Sequence, residues 1–263
     1  MLGEQSHWVP AFAGMTKRSE QATLAIIHPP PQPTHSMNDL LAALLLGIIE
    51  GITEFLPISS TGHLLIAQHW LGARSDLFNI GIQAGAILAV VLIYRQRLWE
   101  LLVGFREAGN RDYALKLGVA FGVTAVLGIV VKKLGWELDD AVAPIAWALI
   151  IGGFWMIAAE HFAAKRAQVL GERSTITWTV AILVGIAQVV AGVFPGTSRS
   201  GATIFVALLA GTTNRAAATE FAFLVGIPTM FAATAYELLD AVQAGTAADE
   251  ARAAFPVALL ARA

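Results

Sequence analysis

No cysteine occurs anywhere in the sequence. Disulfide staples, thiolate metal sites and cysteine nucleophiles are therefore excluded, and His, Asp and Glu remain as candidate metal ligands. Charge is scarce as well. Only 14% of residues are Asp, Glu, Lys or Arg, against roughly 25% in an ordinary soluble domain. Together with 56% hydrophobic residues and a mean hydropathy of +0.65, this reads as an integral membrane protein. A net charge of -2 gives no basic footprint, so no nucleic-acid partner is expected. A signal-peptide core is also missing: the longest apolar run before Met37 is Leu24 to Ile27, too short for one. Residues 1–36 carry Lys17, Arg18 and a proline-rich run at 28–33. They read as a disordered or non-native extension, with Met37 as the natural start.

What is present is concentrated at 47–63, Gly-Ile-Ile-Glu-Gly-Ile-Thr-Glu-Phe-Leu-Pro-Ile-Ser-Ser-Thr-Gly-His. Glu50 and Glu54 are four apart, which places both carboxylates on one face of a helix. Pro57 stops that helix. Ser59, Ser60 and Thr61 are suited to capping the next one, and His63 adds a titratable ring. The apolar stretch 38–55, the break 57–62 and the short stretch 63–71 suggest a re-entrant hairpin, since a full span needs ~20 residues. Such a break is tolerated at depth only when buried in protein or lining a wet cavity.

Apolar spans are expected at 77–94, 115–131, 142–160 and 218–239. Before the last comes a second helix–break–helix unit at 178–211, with the break Pro195-Gly-Thr-Ser-Arg-Ser-Gly201. Aligning Pro57 with Pro195 pairs Gly47 with Gly185, Ile48 with Ile186, Glu50 with Gln188 and Ser60 with Ser198. With one gap, Gln83 pairs with Glu220. Basic residues crowd the 95–116 and 162–177 loops, whereas 132–141 is mixed. By the positive-inside rule the first two loops are cytoplasmic. Three spans separate the hairpins, so the repeats are inverted, and an inverted repeat with broken helices places its site where the breaks meet. The expected fold is an all-α polytopic membrane protein with two re-entrant hairpins in an inverted repeat, occupying 37–240. Residues 241–263 read as a truncated C-terminal segment.

The second break is built for an anion. Backbone N–H groups at a helix start, the hydroxyls of Ser198, Ser200 and Thr203, and the guanidinium fork of Arg199 all suit phosphate. The plain alternative is a polar loop with a surface arginine, but ionisable groups at membrane depth cost ~2.5–3.5 kcal/mol each. Glu50 and Glu54 read as a divalent-metal site or a general acid/base pair, or else as a buried pair satisfied locally. His63 follows Ser60 by one helical turn, which permits a serine nucleophile with a histidine partner or a merely structural ring. Gln83 and Glu220 either line the polar site or hydrogen-bond between helices. His7, His28 and His35 fall in the N-terminal tail, and His69 and His161 read as interface residues.

The segments Glu50-Gly-Ile-Thr-Glu54-Phe-Leu-Pro-Ile-Ser-Ser-Thr-Gly-His63 and Pro195-Gly-Thr-Ser-Arg-Ser-Gly-Ala-Thr203 resemble the two signature motifs of the BacA/UppP-type undecaprenyl-diphosphate phosphatases. Glu220-Phe-Ala-Phe-Leu also fits. The resemblance covers about 37–240. It implies hydrolysis of undecaprenyl diphosphate to the monophosphate carrier used in wall synthesis, bacitracin resistance, Mg²⁺ or Ca²⁺ as cofactor, and an outward-facing site in the bacterial plasma (inner) membrane. It assigns Glu50 and Glu54 to metal binding or proton handling, Ser60 to nucleophilic attack with His63 beside it, and Arg199 to phosphate binding. Ser59, Thr61, Gln83, Ser198, Ser200, Thr203 and Glu220 would support the substrate. Family members continue beyond Asp240 through more apolar helix. The expected partners are the bilayer and its lipid diphosphate, with a homodimer left open. A lipid-phosphate transporter or flippase, and an inactive truncated member, are the alternatives.

Overall fold

The computed structural model describes residues 37–135, 142–194 and 196–243. The expected N-terminal extension, Pro195 and residues 244–263 lie outside the described residues. Every regular element among those described is an α-helix: α1 (Met37–Thr53), α2 (Ser60–Leu71), α3 (Asp76–Ile93), α4 (Arg95–Val103), α5 (Ala108–Lys133), α6 (Val142–Leu170), α7 (Trp178–Val193), α8 (Arg199–Ala210) and α9 (Arg215–Gln243). Three stretches are long and apolar enough to cross a membrane: 108–133, 143–170 and 215–236. The pair 78–93 and 95–103, bent by 65°, makes a fourth only if its two helices count as one span.

Both expected hairpins are present, as α1–α2 and α7–α8, each pair packed together. They occupy different environments. α7 packs on α5 and α8: Val180, Ala181 and Val184 are fully buried in a core shared with Ala120 of α5, Ala207 of α8 and Phe221 and Val225 of α9, while Ile182, Ile186 and Val190 are exposed on its other face. α1 lies at the margin and exposes Leu40, Leu41, Leu44, Ile48 and Ile52, a face suited to lipid rather than water. Its smaller core is Leu46 against Leu64 and Phe78. α6 passes both second helices closely. A Cβ at Gly62 would come within 3.0 Å of Leu149, and one at Gly201 within 2.8 Å of the Met156 sulfur.

Two expected loops are largely helical. α4 and the first turns of α5 fill 95–116, and α6 runs on to Leu170. Hydropathy missed these turns because their charges are paired on the helices. Lys116 of α5, for example, is buried against Trp178 and bonded to Asp112 at 2.5 Å, an i,i+4 pair. The repeat register also needs correction. Ser59 caps α2 by accepting from the Gly62 N–H, and Ser198 caps α8 by accepting from the Gly201 N–H. Gly72 and Gly211 end those helices. Ser75 and Asn214 cap α3 and α9. Each of these pairs differs by 139, whereas the first helices align at 138. The second hairpin carries one more residue between the two alignments, so Ser198 corresponds to Ser59 and Arg199 to Ser60. Gln83 then corresponds to Ala222 rather than to Glu220.

The charged ties order the bundle's ends. Arg97 of α4 binds Glu220 near the start of α9, and the Arg173 backbone carbonyl receives the N–H groups of Thr213 and Asn214 just before α9. Arg166 caps the end of α8 through the carbonyls of Leu208 and Gly211. The two basic segments therefore lie at one end, the arrangement that the charge pattern required.

Candidate active site

The two breaks converge on one polar cavity. Thr53, Glu54, Ser59, Ser60 and Thr61 line it from the first hairpin, and Ala191, Gly192, Thr197, Ser198, Arg199 and Ser200 from the second, with Gln83 of α3 between them. The lining obeys the repeat, since Thr53 and Glu54 correspond to Ala191 and Gly192. Both α2 and α8 begin at the cavity. The first N–H groups of a helix have no acceptor within it, so two helix starts converge on one space that favours negative charge.

Each break places one residue in the left-handed region: Ser59 at φ 65° and Gly196 at φ 91°. For a serine this conformation is uncommon and carries strain. Here it turns the chain so that Ser59 caps α2 while Ser60 faces the cavity. Gly196 is held close to α6, where a Cβ would approach the Ile145 carbonyl oxygen to 2.8 Å.

One hydrogen-bonded relay joins the hairpins. Ser60 Oγ donates to Glu54 Oε2 at 2.7 Å, and Arg199 Nη2 donates to Glu54 Oε1 at 2.5 Å. The ion pair is mostly shielded, with the Arg199 and Glu54 side chains 18% and 14% exposed. Its neighbours pin the second break to the first: Ser200 Oγ donates to the Leu56 carbonyl at 3.0 Å. Thr203 lies one turn further along α8 and donates to the Arg199 carbonyl at 2.8 Å. A charge-assisted bond in so enclosed a place is stronger than on a surface.

Glu50 is fully buried one turn below Glu54, and neither of its oxygens has a hydrogen-bond partner among the described residues. A buried carboxyl group of this kind is one that a bound ligand or an ordered water can satisfy. Among the described residues there is no group of three or more His, Asp or Glu side chains. A hard divalent cation would thus take Glu50 and Glu54 from the protein and complete its shell with phosphate and water oxygens, a pattern that suits Mg²⁺.

Two expectations meet a different geometry. The His63 ring has its Nδ1 2.8 Å from the Ser59 carbonyl oxygen, and the hydrogen bond of Ser60 Oγ goes to Glu54. The helical turn that brought the ring close also offered it that backbone acceptor, and Glu54 is the group beside Ser60. Glu220 lies outside the cavity lining. It accepts from Arg97 Nε at 3.0 Å and from Tyr113 Oη at 3.1 Å, tying α4 and α5 to α9. Its bonds run between helices.

An apolar cleft adjoins the polar cavity and shares Glu54, Arg199 and Ser200 with it. The cleft is walled by Ile87 and Val90 of α3 and by Ala222, Phe223, Gly226, Ile227 and Met230 of α9. Phe223 stacks near both Phe55 and Tyr94, with ring centroids 5.6 and 6.3 Å away. A charged head beside an apolar channel is the shape of an amphiphile. The cleft residues, Thr53 and Thr197 were missed from sequence. The small and apolar ones carry no chemical signal, while Thr53 was legible as the i+3 neighbour of Glu50.

Residues 43–262 match the family model described as "Bacitracin resistance protein BacA". Among curated relatives, proteins named undecaprenyl-diphosphatase from Xanthomonas euvesicatoria pv. vesicatoria (strain 85-10) and Stenotrophomonas maltophilia (strain K279a) are each 68% identical over 173 residues. One of the same name from Xanthomonas campestris pv. campestris (strain 8004) is 66% identical over the same length. In each case the match covers 66% of this chain and 64% of the relative.

Proposed function

The chain belongs to the BacA family, an all-α, multi-pass membrane fold, and from that premise we propose that it hydrolyses undecaprenyl diphosphate to undecaprenyl phosphate and inorganic phosphate. The observation that carries this reading is the Ser60–Glu54–Arg199 relay, built from both breaks, at the junction of a polar cavity and an apolar cleft. The diphosphate head fits the helix starts and hydroxyls, and the first isoprene units fit between α3 and α9. The related proteins are named for this substrate.

In the proposed reaction the terminal phosphate displaces Glu54 as the partner of Arg199, whose fork neutralises charge developing on the phosphoryl oxygens. Freed from the arginine, the Glu54 carboxylate takes the Ser60 hydroxyl proton as Ser60 Oγ attacks the terminal phosphorus. The bond between that phosphorus and the bridging oxygen breaks, and the lipid monophosphate leaves. Glu54 gives the first proton to the departing bridging oxygen; water then attacks the phosphoserine and passes a proton to Glu54, which returns it to Ser60 Oγ as the bond from phosphorus to Oγ breaks and inorganic phosphate is released. Bound Mg²⁺ or Ca²⁺, held by Glu50 and Glu54, would supply Lewis-acid stabilisation of the phosphate oxygens.

The site would face the outer side of the plasma membrane, with the basic end of the bundle in the cytoplasm. Bacitracin resistance follows if turnover lowers the pool of diphosphate available to the antibiotic. The test is phosphate release from a long-chain prenyl diphosphate by purified protein in detergent, with and without chelator. Turnover that stops with chelator and with Ser60→Ala supports the assignment. No release by the unaltered chain under any divalent cation would refute it.

A further inference from the structure

Gln188 is the unexplained feature of the second hairpin. It is fully buried in α7, and both its amide oxygen and its amide nitrogen lack a hydrogen-bond partner among the described residues. It corresponds to Glu50 in the repeat, and Glu50 is orphaned in the same way. Each stands one helical turn below the pair that lines the cavity: Thr53 and Glu54 above Glu50, Ala191 and Gly192 above Gln188. Where the first half fills that turn with a threonine and a carboxylate, the second has a methyl group and a hydrogen. These two small residues, which themselves line the cavity, are all that α7 places on the turn between the amide and that space.

A leucine at this position would bury as well without leaving two polar atoms unpaired, and a buried polar group with no partner is costly. The partner must therefore come from outside the chain. The cavity that Ala191 and Gly192 line also holds two helix starts and the Arg199 guanidinium, a setting for an anion. On the reading of the cavity as a phosphate site, we propose that Gln188 is a further substrate-binding residue, its amide nitrogen donating to a phosphoryl oxygen while water satisfies its carbonyl. The ligand chemistry is a phosphate oxyanion, supplied either by the lipid headgroup or by free phosphate.

The test opposes stability to binding. Gln188→Leu keeps the side chain's size and removes the orphan, and Gln188→Met serves as a second variant should leucine fail to fold. Thermal unfolding in detergent is measured alone, with inorganic phosphate and with a non-hydrolysable prenyl methylene-diphosphonate. The expected result is a melting temperature equal to or above that of the unaltered chain, loss of the rise caused by phosphate or diphosphonate, and at least a tenfold fall in kcat/KM carried mostly by KM. A rise lost only for the diphosphonate assigns the amide to the lipid headgroup; one lost for both assigns it to phosphate generally. Two outcomes overturn the proposal. One is a lower melting temperature in both variants with the ligand-induced rise intact, which makes the amide structural. The other is a higher melting temperature with ligand response and kinetics unchanged, which makes it merely hydrated. If the unaltered chain responds to neither ligand, the phosphate reading of the cavity fails first.

Discussion

The two hairpins share a backbone plan but divide the chemistry. The first contributes both acids, at Glu50 and Glu54, from the end of its long helix. At the same places the second has Gln188 and Gly192. After the break the contrast reverses: the second offers Arg199 where the first offers Ser60. Neither half is a site alone, because the carboxylate that orients the Ser60 hydroxyl is itself held by the other half's arginine. A duplicated element thus supplies geometry, two helix starts aimed at one space, while divergence at a few positions separates proton acceptor from anion binder.

The packing also differs. A Cβ at Gly185 would meet the Ala120 carbonyl oxygen at 2.6 Å, whereas at Gly47 the nearest atom is Ile82 Cγ2 at 3.8 Å. α7 is pressed against α5 through this contact, and Thr124 Oγ1 donates to the Gly185 carbonyl at 3.1 Å. At this position the first hairpin has room that the second lacks.

The largest expected effect breaks the division at Arg199. Arg199→Ala should lower kcat for phosphate release by at least 10²-fold, the order seen when one oxyanion donor is removed. Lysine should restore only part, because it lacks the fork. Near-normal kcat would place the anion site elsewhere. Next, Ser60→Ala and Glu54→Gln should each cost about as much as both together, since groups acting as one unit are not additive. His63→Gln, whose ring contacts the backbone, should cost roughly tenfold less than Ser60→Ala if Glu54 is the proton acceptor. Equal losses would return His63 to that role.

Stability sharpens the contrast between the hairpins. Gly185→Ala should destabilise by about 1–3 kcal/mol through overpacking, whereas Gly47→Ala should be neutral or gain up to ~1 kcal/mol of helix propensity. Melting temperatures in detergent that shift alike would show the two helices equally constrained. Smallest of all, Glu220→Gln should cost about 1 kcal/mol by weakening a partly exposed ion pair, with kcat held within twofold. A hundredfold loss of kcat would make Glu220 part of the site after all.

Much of this was legible in the sequence. Pro57, the run of hydroxyls and the glycines marked both breaks, and the spacing of Glu50 and Glu54 placed them on one helical face. The odd number of spans between the breaks pointed to an inverted order. What was not legible depends on three dimensions. The register shift between Ser59 and Ser198 follows from which hydroxyl reaches which N–H, a choice that several adjacent serines and threonines leave open. Glu220 looked like a site residue because nothing in the sequence showed that Arg97 and Tyr113 would reach it across more than a hundred positions. Gln188 was visible as the counterpart of Glu50, but only burial revealed that its amide has no partner.

The account stands on the convergence of the breaks, and the absence of cysteine makes that convergence measurable. A Cβ on Gly201 would lie 3.2 Å from the Pro57 Cβ, with the movable Met156 sulfur as the nearest obstacle. A disulfide joins Cβ atoms about 3.8 Å apart. Oxidation of the Pro57→Cys, Gly201→Cys double variant in native membranes, followed by mass spectrometry of its peptides, should yield the 57–201 disulfide within a single chain. If both thiols are present and reactive toward maleimide but that bond does not form, the breaks do not meet and the shared site does not exist.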